Sequence, residues 1–506
     1  MRIYLSAMKK TDLKFLKYLS AAAAVLIAAL IFVSCSENNP AEFLPSFTEE
    51  FIESPTPEDT TATSYVTPPI TPYEESTETP SLNPSFEITE EPTVVPTEAP
   101  TEVPTEAPTA NPYENFTVPT IYINTDYGKD ITSKEVYVDG TLSDTTGLKD
   151  IRCRIRGRGN TTWRDFGKIK PSYRLKIEKK ESLGGIGGPE GKDYVLIANY
   201  SDLTMLRNYI ALNLGGRLSN ISYTSEIKFV NLVLNGKDRG LYLLCTKIKI
   251  AESRINIESD ATGETADTGY LVELDRRADQ EDSPYFTIPG TKHKFSVKSD
   301  TTSKKQVDFI SAAILDLYEK CEKGSREEIK EVLDIDSAAD MFILEEFVKD
   351  RDVGFASFYI LKTAGGKIEF SCPWDFDLSL GNDNDNPTPE GLITEVTNSP
   401  DTNPNPFFVY LFSQQWFRKL VYERFTEVKG IIASVIEDYT VMAELLRESN
   451  ENNDKIYNMY GRKIFKEPKN FYKELLTYDG HIQYLKNWME ERLIFMENYL
   501  KEKAGP

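Results

Sequence analysis

Histidine is almost missing. The 506 residues hold two, His293 and His481, far apart in the chain. This excludes a mechanism built on several imidazoles and any metal site that needs clustered histidines. Cysteine is scarce too. The five (Cys35, Cys153, Cys245, Cys321, Cys372) never form a CxxC pair. Zinc ribbons, thioredoxin-type redox motifs and a dense disulfide framework are therefore not expected. Cys153 and Cys245 fall on strand patterns and read as buried free thiols. A dinucleotide fingerprint and a strand–helix alternation are both lacking, which argues against a doubly wound α/β fold. Basic residues vanish between 37 and 117, where 17 acids stand without one Lys or Arg. That stretch carries most of the net charge of −22; the first 35 residues contribute +4, which leaves about −9 for the rest. A nucleic-acid partner is not expected of such a chain.

What is present begins with an export pattern. Lys9, Lys10, Lys14 and Lys17 precede thirteen apolar residues at 21–33, then Ser34-Cys35. The run is short for a membrane span, which needs about 20 residues, but suits the apolar part of a signal peptide. Small residues before a cysteine resemble a bacterial lipobox. Residues 1–35 are thus read as a lipoprotein signal peptide, with Cys35 the lipidation site. The expected location is extracytoplasmic, on the cell surface, with the membrane held through the lipid anchor. Residues 36–117 form a Pro/Thr/Glu-rich linker. Fifteen of the 28 prolines lie between 37 and 117, and VPTEAPTEVPTEAPTANP is a tandem repeat. Proline removes donors and acids repel, so a disordered, extended stalk is expected.

From residue 118 the composition becomes globular. Alternating patterns place strands at 120–124 and 135–139, an N-terminal β segment over 118–150. The main domain is read over 151–502. Its strands are expected at 151–155, 172–177, 194–198, 227–234 and 241–244, with Asn235-Gly236 as a hairpin turn. Helices follow at 309–322, 325–333, 338–350 and through most of 406–502. A strand pair at 357–361 and 367–370 interrupts them around Gly365-Gly366. The fold class is α+β, a β-rich first half and a helical second half.

Two constellations look chemical. In Arg156-Gly157-Arg158-Gly159-Asn160-Thr161-Thr162-Trp163, two glycines in a basic loop after a strand can bring backbone amides and guanidiniums to phosphate. Such a loop is more often a plain turn. Lys176 on the next strand pattern strengthens the phosphate reading, because a Gly-rich loop followed by a strand lysine is how protein kinases hold ATP. In Pro373-Trp374-Asp375-Phe376-Asp377-Leu378, two carboxylates flank an aromatic, and Asp350-Arg351-Asp352 adds two more acids past a helix. Buried carboxylates call for a compensating cation such as Mg²⁺. One acid on metal and one orienting a hydroxyl is the minimum for phosphoryl transfer to a side chain. The competing structural reading is a salt-bridge cluster with Arg351 and Arg207. Asn382-Asp383-Asn384-Asp385-Asn386 reads as a hydrophilic loop, and 382–406 as a long loop near the site.

The ordered set RGRGNTTW, SYRLK, NYSDLTMLRN, LNGKDRGLYLL, GYLVELD, SFYILK and PWDFDLSLGN resembles the CotH family, the spore-coat CotH-like atypical protein kinases also found on bacterial surfaces. The resemblance runs from about residue 118 to 500. It implies a divergent protein-kinase-like fold that uses ATP with Mg²⁺ (or Mn²⁺) to phosphorylate Ser or Thr of a partner protein. By motif order Asp352 takes the place of the catalytic Asp, Asp375 of the metal-binding Asp with Asp377 beside it, and Arg156, Gly157, Arg158, Gly159 and Asn160 of the nucleotide loop. Lys176 takes the phosphate-binding lysine. Three positions depart from the family. Asp350 stands for Asn, Thr246 for Glu in Leu244-Cys245-Thr246-Lys247-Ile248, and Ser357 where a kinase has a metal-binding Asn. The leading reading is a kinase acting on a Ser/Thr-rich acceptor. A catalytically weak binding or scaffold protein on the same fold is the second. A glycoside hydrolase using Asp352 and Asp375 is the third, and it leaves the basic loop unexplained.

Overall fold

The computed structural model describes residues 116–300, 303–396 and 404–505. The signal peptide with Cys35, and the linker up to residue 115, lie outside them. The α+β class holds, with strands crowded into the first half and helices into the second.

Seven strands close into a barrel. They are β1 (Thr120–Thr125), β2 (Val138–Asp144), β3 (Ile151–Arg158), β4 (Ser172–Glu181), β5 (Gly191–Ile197), β6 (Ile227–Leu234) and β7 (Lys237–Thr246), in the order β1-β2-β3-β4-β5-β7-β6. Neighbours run antiparallel except β1 and β6, whose parallel pairing shuts the barrel. Closure removes the exposed edges an open sheet would offer. The sequence showed the strands but not their closure. Ile121, Ile123, Ile155, Leu175, Tyr194 and Leu232 point inward and fill the barrel as one core. Residues 118–150 supply β1 and β2 of this barrel. Asn235 and Gly236 both have positive φ, 51° and 71°, as the tight β6–β7 turn demands.

One strand lies elsewhere than expected. The 135–139 alternation does not pair until Val138, because the Ser133 hydroxyl accepts the backbone N–H groups of Glu135 and Val136 and curls the chain. Five elements had no sequence expectation: helices at Thr161–Phe166 and Arg207–Arg217 and strands β8 (Tyr270–Leu274), β9 (Tyr285–Thr287) and β10 (Lys294–Val297). These strands join β11 (Phe358–Lys362) and β12 (Ile368–Ser371) in a second sheet ordered β12-β11-β8-β10-β9.

The helices are α1 (Thr161–Phe166), α2 (Arg207–Arg217), α3 (Lys304–Lys323), α4 (Arg326–Val332), α5 (Ile335–Val348), α6 (Phe408–Ser413), α7 (Gln415–Leu445), α8 (Arg447–Tyr457), α9 (Phe471–Glu474) and α10 (Tyr478–Ala504). Ser303 and Ser325 start α3 and α4 with reciprocal capping boxes. Nearly every residue of α5 is buried. Phe342 on it packs against Phe408, Phe412 and Phe417, with ring centroids 5.3, 4.8 and 5.8 Å away. The helices and the second sheet share one large core. Cys153, Cys245, Cys321 and Cys372 are buried and unpaired, as expected of free thiols. Among the described residues no helix is long and apolar enough to cross a membrane.

Candidate active site

α5 ends at Lys349, which adopts the left-handed conformation (φ 52°) usual for a glycine and turns the chain sharply. The turn leads through Asp350 and Arg351 to Asp352. The β11–β12 hairpin then returns the chain to Trp374, Asp375 and Asp377. These residues meet the end of β3 and the start of α1 around a cavity of about 560 Å³. Arg156, Arg158, Gly159 and Asn160 line it together with Asp352, Asp375 and Asp377. Strain is concentrated here. Asn199 (φ 46°), Ser357 (φ 59°) and Asp375 (φ 74°) all line the cavity in a region costing of order 1–3 kcal/mol for a residue with a side chain.

What holds the strained loop is the segment Asn199–Asn208, which the sequence offered only as a motif. The Asn208 Oδ1 accepts the Phe376 N–H at 2.9 Å, and its Nδ2 donates to Asn199 Oδ1 at 3.0 Å. The Ser201 hydroxyl donates to Asp377 Oδ2 at 3.1 Å. Arg207 is almost fully buried, paired with Asp202 at 2.5 Å, and donates to the carbonyls of Ser379 and Leu380. Asn382 Nδ2 closes the clamp on the Asp377 carbonyl at 2.8 Å. The available signal was the polar content of NYSDLTMLRN between apolar runs.

The electrostatics separate this site from a structural salt-bridge cluster. Arg207 serves Asp202. Arg351 binds Asp383 and Asp385, both at 2.6 Å, so part of the 382–386 loop is a docked counter-charge rather than a plain hydrophilic loop. Among the described residues no Lys or Arg lies within ion-pair distance of Asp352, Asp375 or Asp377. Burial, and then the Asp375 charge, push the Asp352 carboxyl up to about 6, against the weaker pull of Arg276, Arg351 and Lys466. Burial and the neighbouring Asp375 drive Asp377 well above the usual range. Asp350 is raised by burial, Glu345 and Asp352, and its Oδ1 is buried without a hydrogen-bond partner. That moves Asp350 toward a neutral form, close to the Asn it replaces.

Half-buried carboxylates with no protein cation within ion-pair distance fit a divalent ion of the Mg²⁺ or Mn²⁺ type, which prefers hard oxygen donors. Among the described residues no group of three or more His, Cys, Asp or Glu is placed to hold a metal alone. The residues that could hold such an ion are Asp375 and Asp377, with ligand oxygens completing the set.

Not every expected residue reaches the cavity. Lys176 lies on the outer face of β4, 3.7 Å from Asp193 and over the Tyr137 ring, and does not line the cavity. Strand alternation sends it out with Arg174, while Leu175 points into the barrel. The lysines at the cavity are Lys134, Lys466 and Lys170, the last fully buried and donating to the carbonyls of Ala198 and Leu241 at 2.9 and 2.6 Å. Gly157 is also not a phosphate contact. A Cβ there would meet the Trp163 ring at 2.0 Å, so its missing side chain makes room for α1. Thr246 is buried away from the cavity, its hydroxyl accepting the Glu226 N–H and meeting the Tyr223 hydroxyl. Ser357 does line it. Glu273 and Asp275, inside the GYLVELD string, were missed. Both line the cavity, and burial lifts Glu273 to about 7 despite Lys298 at 2.9 Å. The segment after Asp385 packs on α5 and α10 instead of lining the site, with Arg492 holding the Pro389 and Gly391 carbonyls.

An α+β barrel-and-helix protein whose carboxylates, Asp375 among them with a strained backbone, share one cavity with arginines is the class that the geometry defines. The chain matches the family model described as CotH kinase protein over residues 154–496, and it belongs to that family. It is similar to inner spore coat protein H of Bacillus subtilis (strain 168), 23% identical over 229 residues, which are 44% of this chain and 57% of that protein.

Proposed function

We propose that the chain is an extracytoplasmic protein kinase that transfers phosphate from ATP to Ser or Thr of a surface or coat protein, on a divergent kinase-like fold. The observation that carries this reading is the cluster of Asp352, Asp375 and Asp377, half-buried with no Lys or Arg of the described residues within ion-pair distance, in a cavity that Arg156 and Arg158 also line. Asp375 and Asp377 would hold Mg²⁺ or Mn²⁺, which supplies charge neutralisation at the phosphates when bound. Arg156, Arg158 and the backbone at Gly159 and Asn160 position the phosphates. Asp352 orients the acceptor hydroxyl and takes its proton. At about 6 its carboxyl is ionised at neutral pH yet basic enough to help, which suits a general base. The Asn199–Asn208 clamp holds both metal-side carboxylates in place before any ligand arrives.

Incubation with labelled ATP, Mg²⁺ and a Ser/Thr-rich acceptor tests this. Labelling is expected from the native chain and not from Asp352→Ala or Asp375→Ala. Full labelling by either variant sinks the reading. The position of Lys176 outside the cavity favours the second reading, a catalytically weak binding protein on the same fold. That reading predicts no melting shift with ATP–Mg²⁺, whereas the kinase reading predicts stabilisation.

A further inference from the structure

The outer face of β3 and β4 carries a charge pattern that the nucleotide reading leaves unused. Cys153, Ile155 and Gly157 point inward, so Arg154, Arg156 and Arg158 form one outer row. In register, Arg156 lies across from Arg174, and Arg154 across from Lys176. Like charges directly opposite on paired strands destabilise a sheet. Counter-charge is thin. Asp193 is divided between Lys176 at 3.7 Å and Lys249 at 2.8 Å. Glu135 reaches Arg156 only at 3.8 Å and from an exposed position. Asp139 lies across from Arg154 but not within ion-pair distance. Arg154 and Arg174 have no ion-pair partner among the described residues, and the Arg174 Nε is buried with no hydrogen-bond partner. Buried donors left open in this way favour an acceptor supplied from outside.

The dimensions select the ligand. Two residues along a strand span about 6.8 Å, so the row from Arg154 to Arg158 covers about 13 Å. One phosphate group cannot meet that row. An extended polypeptide with acids at alternate positions repeats at the same spacing. The row ends inside the cavity, where the Arg158 guanidinium stacks 5.3 Å from the Trp374 ring, next to Asp375. We propose that this face docks an extended, Asp/Glu-rich segment of the acceptor protein and leads its hydroxyl residue into the cavity. Only the hydroxyl step rests on the kinase reading; the docking stands on charge and register.

The full chain is the protein to use. A fluorescein-labelled dodecapeptide of alternating Glu and Thr is titrated without nucleotide, and anisotropy is read. Saturable binding is expected, weaker with rising salt and weakened about tenfold in the double variant Arg154→Ala/Arg174→Ala. A Gln–Thr dodecapeptide is expected not to bind. The double variant should melt close to the native chain, because neither side chain has an ion pair to lose and Arg154 gives up only its stacking over the Tyr137 ring. Equal binding by the double variant overturns the proposal, as does equal binding of the Gln–Thr peptide. So does displacement of the acidic peptide by a single-stranded oligonucleotide or ATP at lower concentration, which would make the face a nucleic-acid or nucleotide site. Because no nucleotide is present, these outcomes are independent of whether Asp352 and Asp375 support labelling.

Discussion

Two groups of carboxylates, one buried and one half-buried, sit at the C-terminal end of α5, and the protein treats them oppositely. Glu346 is fully satisfied from within. Its carboxylate accepts the backbone N–H groups of Ile393 and Thr394 at 2.8 and 2.9 Å and lies 3.4 Å from Arg492. Arg492, itself buried, also donates to the carbonyls of Pro389 and Gly391 at 2.6 Å, and Lys349 donates to those of Thr388 and Glu390. A few residues on, Asp352, Asp375 and Asp377 are half-buried in one cavity with no cation of the described residues within ion-pair distance. The first group ties the 387–394 segment to α5 and α10 and reads as architecture. The second is held in place by neighbours that do not neutralise it, which is how a site keeps charge for a ligand. A buried carboxylate thus becomes a functional candidate only when the source of its counter-charge is known.

Breaking the satisfied group gives the largest expected effect on stability. Arg492→Met leaves Glu346 buried without its cation and frees the Pro389 and Gly391 carbonyls. Removing one partner of a buried pair costs about 3–5 kcal/mol. Urea unfolding should show this as a lower midpoint at unchanged slope, and the double variant with Glu346→Gln should recover part of it. A loss below about 1 kcal/mol would show that Arg492 is not what satisfies Glu346. The equivalent cut on the other side, Asp352→Asn, should not destabilise the chain, because it removes a charge the fold carries at a cost.

The pH dependence sharpens that contrast. A carboxyl raised in the folded state takes up its proton more readily folded than unfolded, so folding gains as pH falls. For Asp352 the ordinary value is 3.8 and the folded value about 6. Its favourable contribution is therefore complete below about 3.8 and lost as pH rises past about 6. The swing is roughly 3 kcal/mol at 1.36 kcal/mol per unit. Unfolding free energy measured from pH 4 to 6 should fall in the native chain and fall less steeply in Asp352→Asn. Equal slopes would mean that Asp352 is not the half-buried acid described here.

The barrel strands, the α5 helix and the β11–β12 hairpin were legible because strand alternation and helical periodicity are local. Barrel closure was not, since the β1–β6 pairing joins positions more than a hundred residues apart. Asp352, Asp375 and Asp377 could be picked out as acids in apolar surroundings, and the structure brings them to one cavity. Asn208 and Ser201 could not be given roles, because a hydrogen bond to a loop some 170 residues later leaves no mark on local pattern. Arg156 and Arg158 reached the cavity and Gly157 did not, for one reason: period-two alternation turns every second residue away, and a loop reading of 156–160 ignored that β3 continues through Arg158.

Lys176 supplies the smallest expected effect and the finest test of the comparison. It was selected by motif order, yet its amine pairs with Asp193 at 3.7 Å while about a third exposed. Pairs of that kind are worth about 0.2–1 kcal/mol. Lys176→Met should therefore change stability by less than about 1 kcal/mol and leave the melting shift induced by ATP–Mg²⁺ intact, while Arg158→Met, in the cavity wall, should reduce that shift. The reverse ranking would require the β3–β4 face to swing over the carboxylates when nucleotide binds, and the cavity described here would then be the open form of the site. An unchanged ranking places the division between architecture and site at the barrel wall itself, with inward apolar residues holding β3 in place and its outer arginines left for ligands.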